Sequence, residues 1–238
     1  MRDTAYGLYA WLALLIVVAP VSIALLLTPG IMRRRQLVRR GARLVCWLTG
    51  STIDVSGWTI PDALPCIVIA NHSSYLDGII LTAILPPRFA FLIKQEMATV
   101  PVAGFVLKQI AAEFVDRQSP RDRHRMARRL VETAQRGWTL AVFPEGTFDA
   151  APGLKRFHTG AFTAAWRGKL PIVPVAIRGA RAKMPSGTFL PVPGPLSVHV
   201  CEPIAAAHAG SPDVLIHATR RALLAEIDEP DLEGYIPP

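Results

Sequence analysis

Two clusters in this 238-residue chain combine residue types that can do chemistry. The first is Asn71-His72-Ser73-Ser74-Tyr75-Leu76-Asp77, directly after the apolar run Ile67–Ala70. Imidazole titrates near neutral pH, which suits His72 to general-base work. Asp77 lies within reach through a loop or first helical turn. It would bond one ring nitrogen, set the tautomer and stabilise an imidazolium, leaving the other nitrogen for a substrate hydroxyl. The same residues also fit a surface histidine beside a helix-capping aspartate, with Asn71 as a turn residue. The second cluster is Leu140-Ala-Val-Phe-Pro-Glu-Gly-Thr147, again an apolar strand running into a polar turn. Glu145 offers acceptors to hydroxyls, Gly146 permits close backbone approach, and Thr147 carries a donor. A plain Pro-Glu-Gly turn is the competing reading. Lys94 and Arg117 each follow a strand-like run directly and could clamp a phosphate, the arginine bidentately and the lysine as a point charge. As isolated cations they equally fit a solvated surface.

Positioning these residues needs a sheet whose strands end at one edge, where α/β folds bind ligands. Candidate strands are Thr52–Val55, Cys66–Ala70, Phe89–Ile93, Trp138–Phe143, Ile172–Ile177 and Leu196–Val200, each short, apolar and bounded by Gly, Pro or Asn. The apolar stripe Met126, Leu130, Ala134 predicts a helix over Arg121–Arg136, with its arginines on a solvated face. A second helix is predicted over Ser211–Ile227. The acidic residues that follow (Glu226, Asp228, Glu229, Asp231 and Glu233) read as a solvated tail, and Pro185–Pro195 as an irregular surface loop. The expected fold is α/β, with a mixed, mostly parallel central sheet flanked by helices.

In front of this domain no residue between Asp3 and Arg33 is charged, and Leu8–Leu27 is almost wholly apolar. That is about the length needed to cross a bilayer and longer than a signal-peptide core. Pro20 is expected to kink or interrupt the helix. The segment therefore fits either one span or a hairpin dipping into one leaflet. Arg33, Arg34, Arg35, Arg39, Arg40 and Arg43 follow immediately and imply retention on the cytoplasmic side, with attraction to anionic head groups. The domains are thus residues 1–49, a membrane anchor with a basic interfacial helix, and residues 50–238, the globular domain.

Composition agrees with that division. The chain is 51% hydrophobic and 18% charged, with a formal net charge of +8. The six arginines behind the anchor account for most of that charge, so it does not point to nucleic acid, and no nucleic-acid-binding motif is present. Three scattered cysteines make no disulfide framework. The histidines show no metal-ligand spacing, which disfavours a metal-dependent phosphoesterase.

Taken in order, the clusters resemble the glycerolipid acyltransferases, best represented by the 1-acylglycerol-3-phosphate acyltransferases. Asn71–Asp77 resembles the family's NHxxxxD motif, and Lys94, Glu96, Pro101 and Gly104 its KxExxxxPxxG stretch. Phe114 and Arg117 resemble its GxxFxxR block, and Phe143–Thr147 its FPEGT. Ile172–Ile177 is similar to its last, hydrophobic motif. Two positions depart: Ala111 stands where that third block opens with glycine, and Phe148-Asp149 stand where Arg-Ser usually follows FPEGT. The resemblance implies acyl transfer from acyl-CoA or acyl carrier protein to a lysolipid hydroxyl. His72 would be the base and Asp77 its orienter, with backbone N–H groups at a strand-to-helix turn holding the oxyanion. It further implies that Asn71, Glu145, Gly146 and Thr147 bind the acceptor, and that Lys94 and Arg117 bind its phosphate. No metal or cofactor is expected, because the thioester is a co-substrate. The expected partners are membrane lipids, the lysolipid and the acyl donor, at an inner or plasma membrane with the domain facing the cytoplasm. Another lysolipid acceptor, such as a lyso-ornithine lipid or lysophospholipid, fits the same residues. A non-catalytic lipid-binding protein is a further alternative.

Overall fold

The computed structural model describes residues 2–61, 65–115 and 139–233. Seven strands form one sheet: β1 (Ile53–Gly57), β2 (Ile67–Ala70), β3 (Phe89–Lys94), β4 (Glu113–Val115), β5 (Thr139–Val142), β6 (Ile172–Arg178) and β7 (Leu196–Val200). Their order is β1-β7-β6-β2-β5-β3-β4, and every neighbouring pair is parallel except β6 with β7. The fold class is thus the mixed, mostly parallel sheet read from the sequence. All but one of its strands were legible there. The exception is the three-residue β4, which the sequence marks only as the short strand-like run ahead of Arg117 and which is too short to carry a periodic signal. The predicted helix Arg121–Arg136 lies outside the described residues.

Seven helices appear among the described residues: α1 (Arg2–Leu27), α2 (Ile31–Leu48), α3 (Asp77–Ile84), α4 (Ala103–Gln109), α5 (Gly160–Gly168), α6 (Ala180–Lys183) and α7 (Pro212–Leu224). Strand β2 is buried on both faces, as an inner parallel strand must be. Ile67 and Ile69 face the layer of α5 and α7, while Val68 and Ala70 face α3.

α1 and α2 form a hairpin that lies along the domain. α1 is apolar enough to enter a membrane, with a mean hydropathy of 2.7 over its best window. Pro20 does not interrupt it: the helix runs continuously through that position. Packing holds it on both sides, because Gly41 of α2 sits closely against Val17 and Val21. The hairpin's contacts also correct the reading of the arginine belt. Arg35 is buried and donates to the carbonyls of Ile110 (2.8 Å), Arg88 (3.2 Å) and Ala111 (3.3 Å). Burial lowers its pKa to about 10, still well above neutrality. Arg39 donates to Ile84 O (3.2 Å) and Arg43 to Ala83 O (2.8 Å). Those are the last carbonyls of α3, which has no basic residue of its own in its final turn. Two cations at an unsatisfied helix C-terminus stabilise a helix of only eight residues. Among the six arginines, only Arg33, Arg40 and Arg43 are exposed.

Candidate active site

β2, β5, β3 and β4 are mutually parallel neighbours, so their carboxyl ends reach one edge. That edge receives residues 71–77 from β2, 143–148 from β5 and Lys94 from β3. Arg117 lies outside the described residues, two positions beyond the end of β4. Lys94 is half-buried at its strand end.

His72 Nδ1 lies 2.9 Å from Asp77 Oδ2. The same oxygen accepts the backbone N–H groups of Ser73 (2.6 Å) and Ser74 (2.8 Å). Asp77 is fully buried at the start of α3, whereas the His72 side chain keeps 19% exposure. With Nδ1 taken, Nε2 is the nitrogen left for a substrate. The imidazole stacks on Phe143 (centroids 4.3 Å apart, 18° between planes) and meets the ring of Phe148 edge-on (4.5 Å). Phe148 in turn packs edge-on against Tyr75 at 4.8 Å. Two rings and a carboxylate therefore fix the imidazole's orientation.

Glu145 is buried, and its role differs from the acceptor contact expected of it. Oε1 accepts the His72 N–H (2.7 Å) and Oε2 the Lys155 N–H (2.9 Å). It joins the two motif turns and holds the backbone of His72 in place. Burial pushes its pKa up to about 7; the two N–H donors oppose this, and the charges of Glu229 and Asp77 add to it. Asn71 is corrected likewise. Its carboxamide donates to Ile177 O (3.0 Å) and accepts Ile177 N–H (2.7 Å), so it continues the β2–β6 ladder beyond Ala70 and is buried as a structural link between the strands. Gly146 takes φ 79°, the left-handed region, and its N–H closes the turn onto Phe143 O at 3.2 Å. Thr147 is exposed at the rim.

Four of the turn amides that could hold an oxyanion are already committed. His72 N–H goes to Glu145, Ser73 and Ser74 N–H to Asp77, and Leu76 N–H to Ser74 Oγ at 3.1 Å. The acidic C-terminal residues are more than a solvated tail: Asp228, Asp231 and Glu233 are exposed, but several of the acids hold partners. Glu229 pairs with Arg181 (2.7 and 2.9 Å) and accepts the Gly153 N–H (2.8 Å). Asp231 pairs with buried Arg220, which also donates to the carbonyls of Leu154 (2.6 Å) and Lys155 (2.7 Å). These clasps hold the loop after Thr147, and with it the Lys155 amide that Glu145 binds. Sequence reading missed them because Arg181 lies 48 residues from Glu229 and Arg220 lies 65 and 66 residues from the carbonyls it binds; the cluster of acids was the signal. Among the described residues no three His, Cys, Asp or Glu side chains are placed to share a metal ion.

Residues 52–178, more than half of the chain, match the protein family described as Acyltransferase. The chain belongs to that family. It is 26% identical over 219 residues to a 1-acyl-sn-glycerol-3-phosphate acyltransferase of Pseudomonas aeruginosa, covering 90% of this chain and 82% of that one. It is 32% identical over 152 residues to a lyso-ornithine lipid O-acyltransferase of the same organism, covering 64% of this chain and 57% of the relative. The crystal structure of the 1-acyl-sn-glycerophosphate acyltransferase from Thermotoga maritima shares the fold, with a TM-score of 0.78, 21% identity and 93% of each chain covered. Against two chloroplast relatives from plants the chain spans only 36% and 45% of their length. Family membership makes the fit of the NHxxxxD and FPEGT residues to one edge intelligible: the two motifs meet through the Glu145–His72 bond.

Proposed function

We propose that the chain moves a fatty acyl group from acyl-CoA or acyl carrier protein to the free hydroxyl of 1-acylglycerol-3-phosphate, producing phosphatidic acid at a membrane surface. The observation that carries this reading is the ring-clamped His72, bonded through Nδ1 to buried Asp77 and open at Nε2. In the reaction, Nε2 takes the proton of the acceptor hydroxyl as its oxygen attacks the thioester carbonyl. The new C–O bond forms, and the tetrahedral centre collapses with cleavage of C–S. The imidazolium then returns its proton to the thiolate. Asp77 stabilises the imidazolium between those steps. The amides of Thr147 and Phe148 make no hydrogen bond among the described residues, and the Phe148 ring meets the His72 ring edge-on, which supports these amides as oxyanion donors. Lys94, at the end of β3, and Arg117, which follows β4 in the sequence, are assigned to the acceptor's phosphate, and exposed Thr147 to its glycerol part. No metal or cofactor enters this scheme.

The hairpin supports membrane attachment within one leaflet over a single span. Tyr6 donates to Thr49 O (2.8 Å) and Tyr9 to Leu48 O (2.7 Å), so the start of α1 is held at the end of α2, against the domain. Exposed Arg33 and Arg40 support a cytoplasmic face. A second acceptor is favoured by one observation: apolar Phe148 stands on His72 where the family usually places an arginine. That environment suits a lyso-ornithine lipid, whose head group has no phosphate.

The test uses detergent-solubilised protein, labelled acyl-CoA and a panel of lysolipids. The His72→Ala variant should lose at least about a thousandfold in turnover while keeping its membrane association. Substantial transfer by that variant would overturn the mechanism. Preference for lyso-ornithine lipid over lysophosphatidate would replace the acceptor.

A further inference from the structure

One apolar patch on the described surface is not used by the acyl-transfer chemistry. Phe189 is 72% exposed in the irregular segment between α6 and β7, with Leu190 beside it. This segment is tied down at several points. Val192 N–H donates to Lys183 O (2.8 Å), and Thr188 N–H to Pro185 O (3.2 Å). The buried Lys183 ammonium donates to Tyr6 Oη of α1 (2.9 Å) and to Gly194 O (3.4 Å). Leu190 packs so tightly on α1 that a Cβ at Gly7 would lie 2.8 Å from its own Cβ. One turn further along α1, Trp11 Nε1 donates to Phe189 O. Leu8, Leu12, Leu15 and Ile16 continue the exposed apolar surface along the same helix. The loop thus holds a phenyl ring in solvent at the border of the helix that enters the membrane. Contiguous exposed apolar surface of this kind marks an interaction site.

We propose that the 185–195 segment is a second membrane-contact element, with Phe189, Leu190 and Trp11 entering the acyl region of the leaflet that receives α1. The occupant is a lipid bilayer because the patch is continuous with the apolar face of α1, and exposed Arg33 and Arg40 match anionic head groups. The inference rests on the membrane attachment proposed above and extends it to the catalytic domain itself. It also sets the site close to the lipid: Met184, at the head of the segment, accepts the hydroxyl hydrogen bond of Ser74 in the His72–Asp77 turn (2.8 Å).

The experiment places an environment-sensitive fluorophore at Phe189→Cys, Leu15→Cys or Val214→Cys in the full chain, reconstituted in vesicles of phosphatidylcholine and phosphatidylglycerol. The native Cys46, Cys66 and Cys201 are all buried, so the introduced thiol takes the label. Val214 is exposed on α7, in the layer across the sheet from α3, and serves as the aqueous reference. Labels at 15 and 189 should be quenched at least twofold more by acyl-chain doxyl lipids than the label at 214, and be protected from iodide. Phe189→Asp should lower vesicle partitioning about tenfold and leave turnover of a water-soluble short-chain acceptor unchanged. Iodide quenching at 189 with doxyl quenching at 15 would overturn the inference and leave the membrane attachment standing. Iodide quenching at both would overturn the two together. Shielding of position 189 from both quenchers would assign the patch to a second copy of the chain, and would also overturn it.

Discussion

Replacing Asp77 by asparagine removes a charge with almost no change of shape, and the surroundings of the carboxylate determine how the new side chain must sit. Oδ2 accepts three donors, from His72, Ser73 and Ser74, whereas buried Oδ1 has no partner among the described residues. Only the carboxamide oxygen can face three N–H groups, so the nitrogen must take the Oδ1 position. The tautomer of His72 is therefore kept, and what is lost is the negative charge beside the imidazolium. Two unit charges about 4 Å apart interact by about 4 kcal/mol at an effective dielectric constant of 20. The amide dipole retains part of this, leaving a loss of about 3 kcal/mol, or about two orders of magnitude in kcat. Because the charge acts on the transition state, KM for the lysolipid should stay within about twofold of the parent. The buried NH2 in the Oδ1 position adds about 1–3 kcal/mol of destabilisation. Steady-state transfer of labelled acyl-CoA, measured well below the variant's melting temperature, reads the first effect; thermal unfolding reads the second. A kcat within threefold of the parent, or a loss appearing wholly in KM, would refute the reasoning and leave Asp77 as an organiser of the turn.

Glu145→Gln should flatten the pH dependence of stability. A carboxyl whose folded pKa is about 7, above its ordinary 4.5, contributes stability that is present below about pH 4.5 and lost as pH rises through 7. The difference is worth up to about 3 kcal/mol between pH 4 and 8, and an unchanged slope of Tm against pH in the variant would contradict it. The variant should also lose activity above pH 7, since glutamine accepts only one of the two N–H groups that Glu145 binds. Ala111→Gly should stabilise the chain by about 1 kcal/mol, because Ala111 holds φ 50°, in the left-handed region. A melting temperature raised by about 2–4 °C would show it, and a lowered one would exclude backbone strain there. Arg43→Met should reduce kcat more than KM by releasing the end of α3, whose first residue is Asp77; Arg43→Lys should restore part of the loss. Equal activity in all three proteins would confine Arg43 to the surface.

Short-range chemistry was readable from the chain alone. Apolar β-branched runs ending in Asn-His or Pro-Glu-Gly mark strands with polar ends, since a buried strand needs an apolar residue at every position. The separation of His72 and Asp77 allows one helical entry to join them, and the uncharged stretch before Arg33 is long and apolar enough to enter a membrane. Charge and hydropathy could not say where long side chains end up. Arg35, Arg39 and Arg43 look like a head-group belt until α3 brings its bare carbonyls beneath them. Glu145 and Asn71 look like substrate ligands until the sheet order places the backbone of His72 beside one and that of Ile177 beside the other. Their partners are distant in sequence, and a buried polar group is satisfied by whatever donor or acceptor the packing delivers. Thus sequence by itself determined which residues could react and that the chain meets a membrane. Only the tertiary structure decided which polar groups are free to touch substrate and which hold the site together, because that depends on burial and on contacts made between strands far apart in the chain.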